Sequence, residues 1–323
     1  MKRALRWLGY GLVVLCCVAG AGLGYLYLAF PIMAEPEQGE IAPSADKLAR
    51  GTYLAEHVAV CVDCHSQRDW SRFSGPVEPS EFGKGGEHFG HELGLPGDVY
   101  SKNITPHRLG SWSDGEIMRA LTSGVTPDGR ALFPLMPYQA YAKLCRQDVE
   151  ALVSYVRTLK PSDNAVPETK LDFPLNLIVR TIPQPAALRA DCPDPKDTVK
   201  YGEYLVNTAS CQDCHTPRNG NDLDRERAFS GGVAIKLNGT TVTTKNLTPD
   251  PSGLGGWSRE TFIKRFAYYR DRANLHHVEA GELQTPMPWS MYAGMTDQDL
   301  GAIYDYLRTV KPVQTAPQAV AAN

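Results

Sequence analysis

The chain has 323 residues, enough for two ordinary domains and an anchor. Its formal net charge is −3 and no basic stripe interleaves with aromatic residues, which excludes a nucleic-acid partner. Charged residues at 21% and apolar residues at 42% exclude a disordered chain, while 29 glycines and 24 prolines predict short helices separated by many loops.

Lys2, Arg3 and Arg6 precede an uncharged run from Trp7 to Ala34, closed by Glu35. As a helix this run crosses the roughly 30 Å of a bilayer's hydrocarbon. It is longer than the apolar region of a cleaved signal peptide, so residues 1–34 read as an uncleaved anchor, although Gly20, Ala21, Gly22 and Gly24 leave cleavage open. Either way the rest of the chain is exported, with the basic N-terminus held in the cytoplasm and the remainder in the periplasm. Cys16 and Cys17, within the run, read as small apolar membrane residues.

Leu48, Tyr53, Leu54 and Val58 then form a helical stripe leading to Cys61-Val62-Asp63-Cys64-His65. Ser113 with Glu116 is a capping box that opens a helix through Ile117, Ala120 and Leu121. Val149, Leu152, Val153 and Val156 mark a further helix. The whole pattern then returns in the same order. Gly51 with Tyr53-Leu54 matches Gly202 with Tyr204-Leu205, and the cysteine motif recurs as Cys211-Gln212-Asp213-Cys214-His215. Phe73-Ser74-Gly75 answers Phe229-Ser230-Gly231, and Lys102-Asn103-Ile104-Thr105-Pro106 answers Lys245-Asn246-Leu247-Thr248-Pro249. Gly110-Ser111-Trp112-Ser113 answers Gly255-Gly256-Trp257-Ser258, and Met136-Pro137 answers Met287-Pro288. The segments Tyr155–Pro161 and Tyr306–Pro312 close the two series, the second helix carrying Leu300, Ile303, Tyr304 and Leu307. Two homologous domains follow, 46–160 and 198–312. The segment 161–197 is a proline-rich linker that runs extended over the surface, with the apolar stretch Leu175 to Ile182 available to lie against a domain. Residues 313–323 read as a flexible tail.

Thr296, with Asp297 and Asp299 after it, caps the final helix; its counterpart is Cys145, a poor cap. A cysteine in place of a cap, with Cys192 as the other unassigned cysteine outside the membrane, points to a Cys145–Cys192 bridge; two free thiols remain the alternative.

Cys-x-x-Cys-His is the attachment signature of c-type haem. Its two thiols add to the two vinyl groups on one porphyrin edge, and the histidine that follows is delivered beneath the iron. A zinc site would need two further ligands at suitable spacing, and a redox dithiol a βαβ context; neither is present in the pattern. Cys61, Cys64, His65, Cys211, Cys214 and His215 are therefore read as binding two covalently attached haem c groups, with His65 and His215 as iron ligands. Met136 and Met287 are the sixth ligands, at matched positions, each followed by proline and an aromatic residue. Met291 and Met295 are the alternates in the second domain, and Met118 reads as core. The Asn-Ile/Leu-Thr-Pro turns are available to bond a propionate or the ligand loop, Trp112 and Trp257 to pack on haem or core, and Arg130 to pair with a propionate. His88, His91, Glu87 and Glu92 form one polar cluster, and His276, His277 and Glu279 another within an insertion. Both read as solvated loops, with a metal site, or a histidine replacing Met287, as the sharper alternative.

On these motifs the chain resembles the class I cytochrome c superfamily. It is similar in particular to membrane-bound dihaem cytochromes related to the cytochrome subunits of periplasmic alcohol, aldehyde and gluconate dehydrogenases. The resemblance implies an all-α fold, two tandem domains wrapped around haem after one transmembrane helix. It implies an electron carrier rather than an enzyme, taking electrons from a dehydrogenase or quinol-oxidising complex and passing them to a soluble cytochrome or terminal oxidase. Dehydrogenase cytochrome subunits commonly carry three haems and this chain has motifs for two. A dihaem peroxidase and a haem-based sensor are the competing readings.

Overall fold

The uncharged N-terminal run folds as one helix, α1 (Lys2–Ala29), with a mean hydropathy of 2.1 over its most apolar window and no buried residue. It is long and apolar enough to cross a membrane, and Leu5, Trp7, Leu12 and Leu15 all lie exposed along it. It ends at Ala29, five residues short of the Ala34 boundary, because Pro31 cannot continue the helix. The computed structural model describes residues 2–220 and 222–315.

The N-terminal half contains α2 (Ala45–Tyr53), α3 (Cys61–Cys64), α4 (Pro106–Leu109), α5 (Asp114–Ser123), α6 (Tyr138–Tyr141) and α7 (Arg146–Thr158); the linker contains α8 (Leu175–Ile178). The C-terminal half contains α9 (Thr198–Thr208), α10 (Cys211–His215), α11 (Arg259–Ala267), α12 (Trp289–Tyr292) and α13 (Asp297–Leu307). Ser44 caps α2 and Thr296 caps α13, each accepting from the backbone three residues on, and Ser113 with Glu116 forms both bonds of the capping box on α5.

In each half the first helix crosses the last one, and the repeated glycine explains how closely. A Cβ on Gly51 would sit 2.0 Å from the carbonyl oxygen of Ala151, and one on Gly202 would sit 1.9 Å from that of Ala302. Only a hydrogen fits at either crossing of α2 with α7 or α9 with α13. Leu54, Leu152, Leu205 and Leu300, all 0–1% exposed, fill one core that is continuous across both halves.

The all-α expectation requires correction, because seven short strands are present among the described residues. β1 (His88–Phe89), β2 (Gly97–Tyr100) and β3 (Lys170–Leu171) form an antiparallel sheet in that order, with β3 contributed by the linker. β4 (Arg218–Asn219) pairs with β5 (Asp222–Leu223), and β6 (Ala234–Leu237) with β7 (Thr240–Thr243). The segments after each cysteine motif are too rich in glycine, threonine and proline to hold helix, so their backbone groups pair in ladders instead. Asn238 and Gly239 take positive φ, 54° and 74°, which closes the β6–β7 hairpin in the twist-compatible turn.

The linker departs from a simple extended path. Besides β3 it forms α8 and a 3-10 turn at Val179–Thr181, and it buries Val179 to 7% exposure. Cys145 and Cys192 form a disulfide that ties the linker to the start of α7. The start of the tail is held: Asn246 Nδ2 donates to the carbonyl of Val313 (2.8 Å) and Thr315 Oγ1 to that of Ser230 (3.0 Å). Residues 316–323 of that tail lie outside the described residues.

One repeat block is placed differently from its sequence match. The structural counterpart of Gly231 is Gly85, not Gly75: Gly231 N donates to His215 O (2.9 Å) and Gly85 N to His65 O (2.8 Å). The stretch from His65 to Gly85 is four residues longer than that from His215 to Gly231, and this extra length hides the true alignment of the Phe-Ser-Gly tripeptides.

Candidate functional site

Each cysteine motif is a single helical turn, entered through a left-handed residue, Val60 (φ 46°) or Ser210 (φ 52°). Left-handed backbone is costly for a β-branched residue, and here it starts the turn abruptly. One turn places the two cysteines, three apart, on the same face and brings the histidine in directly after them.

The histidine rings are fixed from behind. His65 Nδ1 lies 2.7 Å from the carbonyl oxygen of Lys102, and His215 Nδ1 lies 2.7 Å from that of Lys245. A carbonyl only accepts, so Nδ1 carries the hydrogen and Nε2, on the opposite edge, keeps its lone pair. Burial pushes the pKa of both imidazoles down, with the carbonyl bond opposing, so both stay neutral and able to ligate. The two carbonyls are the functional groups that side-chain reasoning missed; the repeated Lys-Asn-x-Thr-Pro block was their only signal. The asparagines do not turn towards a cofactor. Asn103 Oδ1 accepts from Thr105 N (3.0 Å) and its Nδ2 donates to Ser162 O (2.8 Å), while Asn246 Oδ1 accepts from Thr248 N (2.8 Å). They lock the turn that presents the lysine carbonyls.

In the first half, Cys61, Cys64, His65 and Met136 line one cavity of about 590 Å³, within the range that holds a cofactor. Trp112, Ile117, Leu121, Leu152 and Val156 supply apolar wall, and Arg108, Arg130 and Arg180 also line it, so cations are at hand for carboxylates of a bound group. Burial pushes the Cys61 and Cys64 thiols up to about 12, that of Cys211 also to about 12, and that of Cys214 upward. Burial therefore keeps these thiols protonated rather than activated as a thiolate pair, and all four cysteines are free thiols. Two neutral thiols, one neutral histidine and one thioether facing a common space fit covalent haem.

The methionine turns are built alike. Tyr138 N donates to Met136 O (2.8 Å) and Trp289 N to Met287 O (2.8 Å). Tyr141 Oη donates to Ala59 O (3.0 Å) and Tyr292 Oη to Ala209 O (2.8 Å), which ties each turn to the approach of its own motif. Met136 and Met287 are half-buried, whereas Met118 (6%), Met291 (6%) and Met295 (2%) are spent in the core. Burial above all, with the nearby Cys211 and Cys214 thiols adding to it, holds the Tyr292 hydroxyl well above its usual pKa. The two tryptophans differ: Trp112 lines the cavity and Trp257 is 36% exposed.

The outlying histidines divide. His88 Nε2 in β1 pairs with Asp98 (2.9 Å) in the neighbouring β2, and the exposed His91 Nε2 with Asp172 (2.8 Å) of the linker. His276 stacks on Phe73, with ring centroids 5.1 Å apart, so this insertion packs on the first half and is no free loop.

Comparison with known proteins places the chain among cytochromes c. The cytochrome c family profile matches residues 199–311. The chain is 32% identical to the fructose dehydrogenase cytochrome subunit of Gluconobacter japonicus, over 85% of this chain and 54% of that protein. It is 27% identical to the cytochrome c subunit of the quinone alcohol dehydrogenase of Gluconacetobacter polyoxogenes, over 88% of this chain and 60% of that protein. It is 32% identical to a "Diheme cytochrome c-type" protein of Cereibacter sphaeroides, over 97% of this chain and 100% of that protein. The chain thus spans little more than half the length of the dehydrogenase subunits it matches.

Proposed function

The chain belongs to the cytochrome c family, and from that premise we propose that it is a membrane-anchored dihaem electron carrier. Its parts are an anchor (1–34), two tandem cytochrome c units (46–160 and 198–312) and a linker (161–197) between them. The observation that carries this reading is the first cavity, where two neutral thiols, a histidine with its Nε2 left bare and a methionine thioether converge. The matched carbonyl bond on His215 and the matched turn at Met287 support the same assembly in the second half.

Haem held there supplies reversible one-electron chemistry. The protein's residues bind and tune: the cysteines retain the group, Lys102 O and Lys245 O raise the basicity of the histidines, and the methionine thioethers favour the reduced state. The like build of the two methionine turns supports a sixth ligand in each half, and so favours a carrier over a peroxidase or a gas sensor, either of which needs an open ligand position.

Orientation follows from Lys2, Arg3 and Arg6, which hold the N-terminus in the cytoplasm and put both units in the periplasm. Arg180 of the linker donates to the carbonyls of Phe30 (2.6 Å) and Tyr27 (3.3 Å), and Tyr27 and Arg180 both line the first cavity. This supports a membrane-proximal first site. The partners we assign are a dehydrogenase or quinol-oxidising complex as donor, supported by the dehydrogenase subunits among the relatives, and a soluble cytochrome or terminal oxidase as acceptor.

The test is an optical redox titration of the detergent-solubilised, haem-loaded chain, with carbon monoxide and peroxide added at neutral pH. Two one-electron couples, low-spin throughout and inert to both reagents, are expected. Peroxide turnover would replace the carrier by a peroxidase, and carbon monoxide binding would replace it by a sensor.

A further inference from the structure

The two methionine turns share a backbone but not their surroundings. Each half has one stretch longer than its counterpart, by four residues between His65 and Gly85 in the first (20 positions against the 16 from His215 to Gly231) and by six in the Trp257–Met287 connection of the second, and the two stretches meet. Phe73 N donates to His276 O (2.8 Å) and Val278 N to Ser71 O (2.8 Å), on either side of an antiparallel bridge between Arg72 and His277. The Arg72 guanidinium adds bonds to the carbonyls of Leu275 (3.0 Å) and Arg272 (2.9 Å).

The strap ends on Ser74, which is 0% exposed and left-handed at φ 71°. Its hydroxyl donates to Met287 O (2.6 Å) and accepts from Trp289 N (3.0 Å), gripping the methionine turn on both sides. Its amide donates to Gln284 Oε1 (2.7 Å), and Gln284, 1% exposed, donates in turn to Trp70 O (3.2 Å) and Arg72 O (2.9 Å). A glycine would take this backbone without strain; what a glycine lacks is the hydroxyl that reaches Met287. At Met136 no side-chain hydroxyl plays this part among the described residues: its carbonyl takes Tyr138 N alone.

We propose that Ser74, a residue of the first half, is a positioning residue for the methionine ligand of the second half. The inference rests on the reading of Met287 as that ligand. The hydroxyl holds the Met287 turn closed from across the boundary, so the second methionine yields to an incoming ligand more slowly than Met136. The ligation of the second haem therefore depends on the fold of the first half.

The experiment follows cyanide binding to the ferric, haem-loaded full-length protein, together with the weak near-infrared-edge absorption of sulfur-ligated ferric haem. The unmodified chain binds cyanide in a fast and a slow phase. Met287→Ala removes half of the absorption and abolishes the slow phase; an absorption left intact by that variant would refute Met287 as ligand, separately from the role of Ser74. Ser74→Ala and Ser74→Gly, the second relieving the left-handed backbone so that folding is favoured, each accelerate the slow phase about tenfold and leave the fast phase alone. A slow phase unchanged in both variants, or both phases accelerated equally, would overturn the proposal.

Discussion

Tyr53 donates its phenolic hydrogen to the Asp299 carboxylate at 2.5 Å, and Tyr204 donates to Asp148 at 2.6 Å. Each tyrosine leads towards its own cysteine motif, and each aspartate stands in the first turn of the other half's last helix. The contact is reciprocal, as in an isologous dimer, and it joins the halves of one chain around a pseudo-two-fold axis. The symmetry breaks at one position: Arg50 adds a bidentate bond to Asp148 (2.8 and 2.8 Å), where the matching residue of the other half is Tyr201.

Removing either tyrosine hydroxyl leaves a buried carboxylate with an unfilled site. Tyr53→Phe and Tyr204→Phe are each expected to destabilise the protein by about 1–3 kcal/mol. Asp148→Asn, which also strands Arg50, is expected to cost about 2–3 kcal/mol, less than a fully buried pair because the guanidinium is 30% exposed. Denaturant unfolding of the three variants checks the ranking.

The Cys145–Cys192 disulfide closes a loop of 47 residues in sequence separation. Replacing both cysteines by alanine is expected to lower stability by about 2–4 kcal/mol. Because the bridge sits beside the Tyr204–Asp148 bond, proteolysis of the variant should cut first within the linker. Limited trypsin digestion, read by mass, tests this.

The lysine carbonyls depend on their asparagine turns. Asn103→Ala should loosen Lys102 O and shift the potential of the first haem alone, by about 1 kcal/mol or roughly 40 mV, and Asn246→Ala should do the same to the second. Redox titration with resolved couples distinguishes a local shift from a general one.

The stem after α1 is pH-sensitive. Arg146 binds Glu37 bidentately (2.6 and 2.7 Å), and this hydrogen bond, with the attraction of the same guanidinium, holds the Glu37 carboxyl below its usual pKa. A folded pKa below the unfolded value of about 4.3 means the contribution is complete above that pH and fades as pH falls through the folded value. Both side chains are about half exposed, so the effect stays below about 1 kcal/mol. Unfolding between pH 5 and 3 should be less pH-dependent in Glu37→Gln.

What the sequence made legible was whatever a side chain announces locally. The capping box at Ser113, the cap at Thr296, the glycines at the helix crossings and the two Cys-x-x-Cys-His turns all lie where the repeats placed them. What stayed hidden depends on distant pairing or on backbone groups. β2 finds its partner in Lys170–Leu171 of the linker, far along the chain. Gly85 was obscured as the twin of Gly231 by the insertion before it, and the carbonyls of Lys102 and Lys245 carry no side-chain signature. The Asn238-Gly239 hairpin is different: its signal, an Asn-Gly pair between alternating residues, stands in the sequence itself.

The most direct measurement of the central claim is the intact mass of the chain purified from membranes of a host that attaches haem c. Two haem additions on the full-length chain are predicted, falling to one when Cys61 and Cys64 are both alanine and to one when Cys211 and Cys214 are. A chain without covalent additions, or with a single one that survives either pair of substitutions, would contradict it.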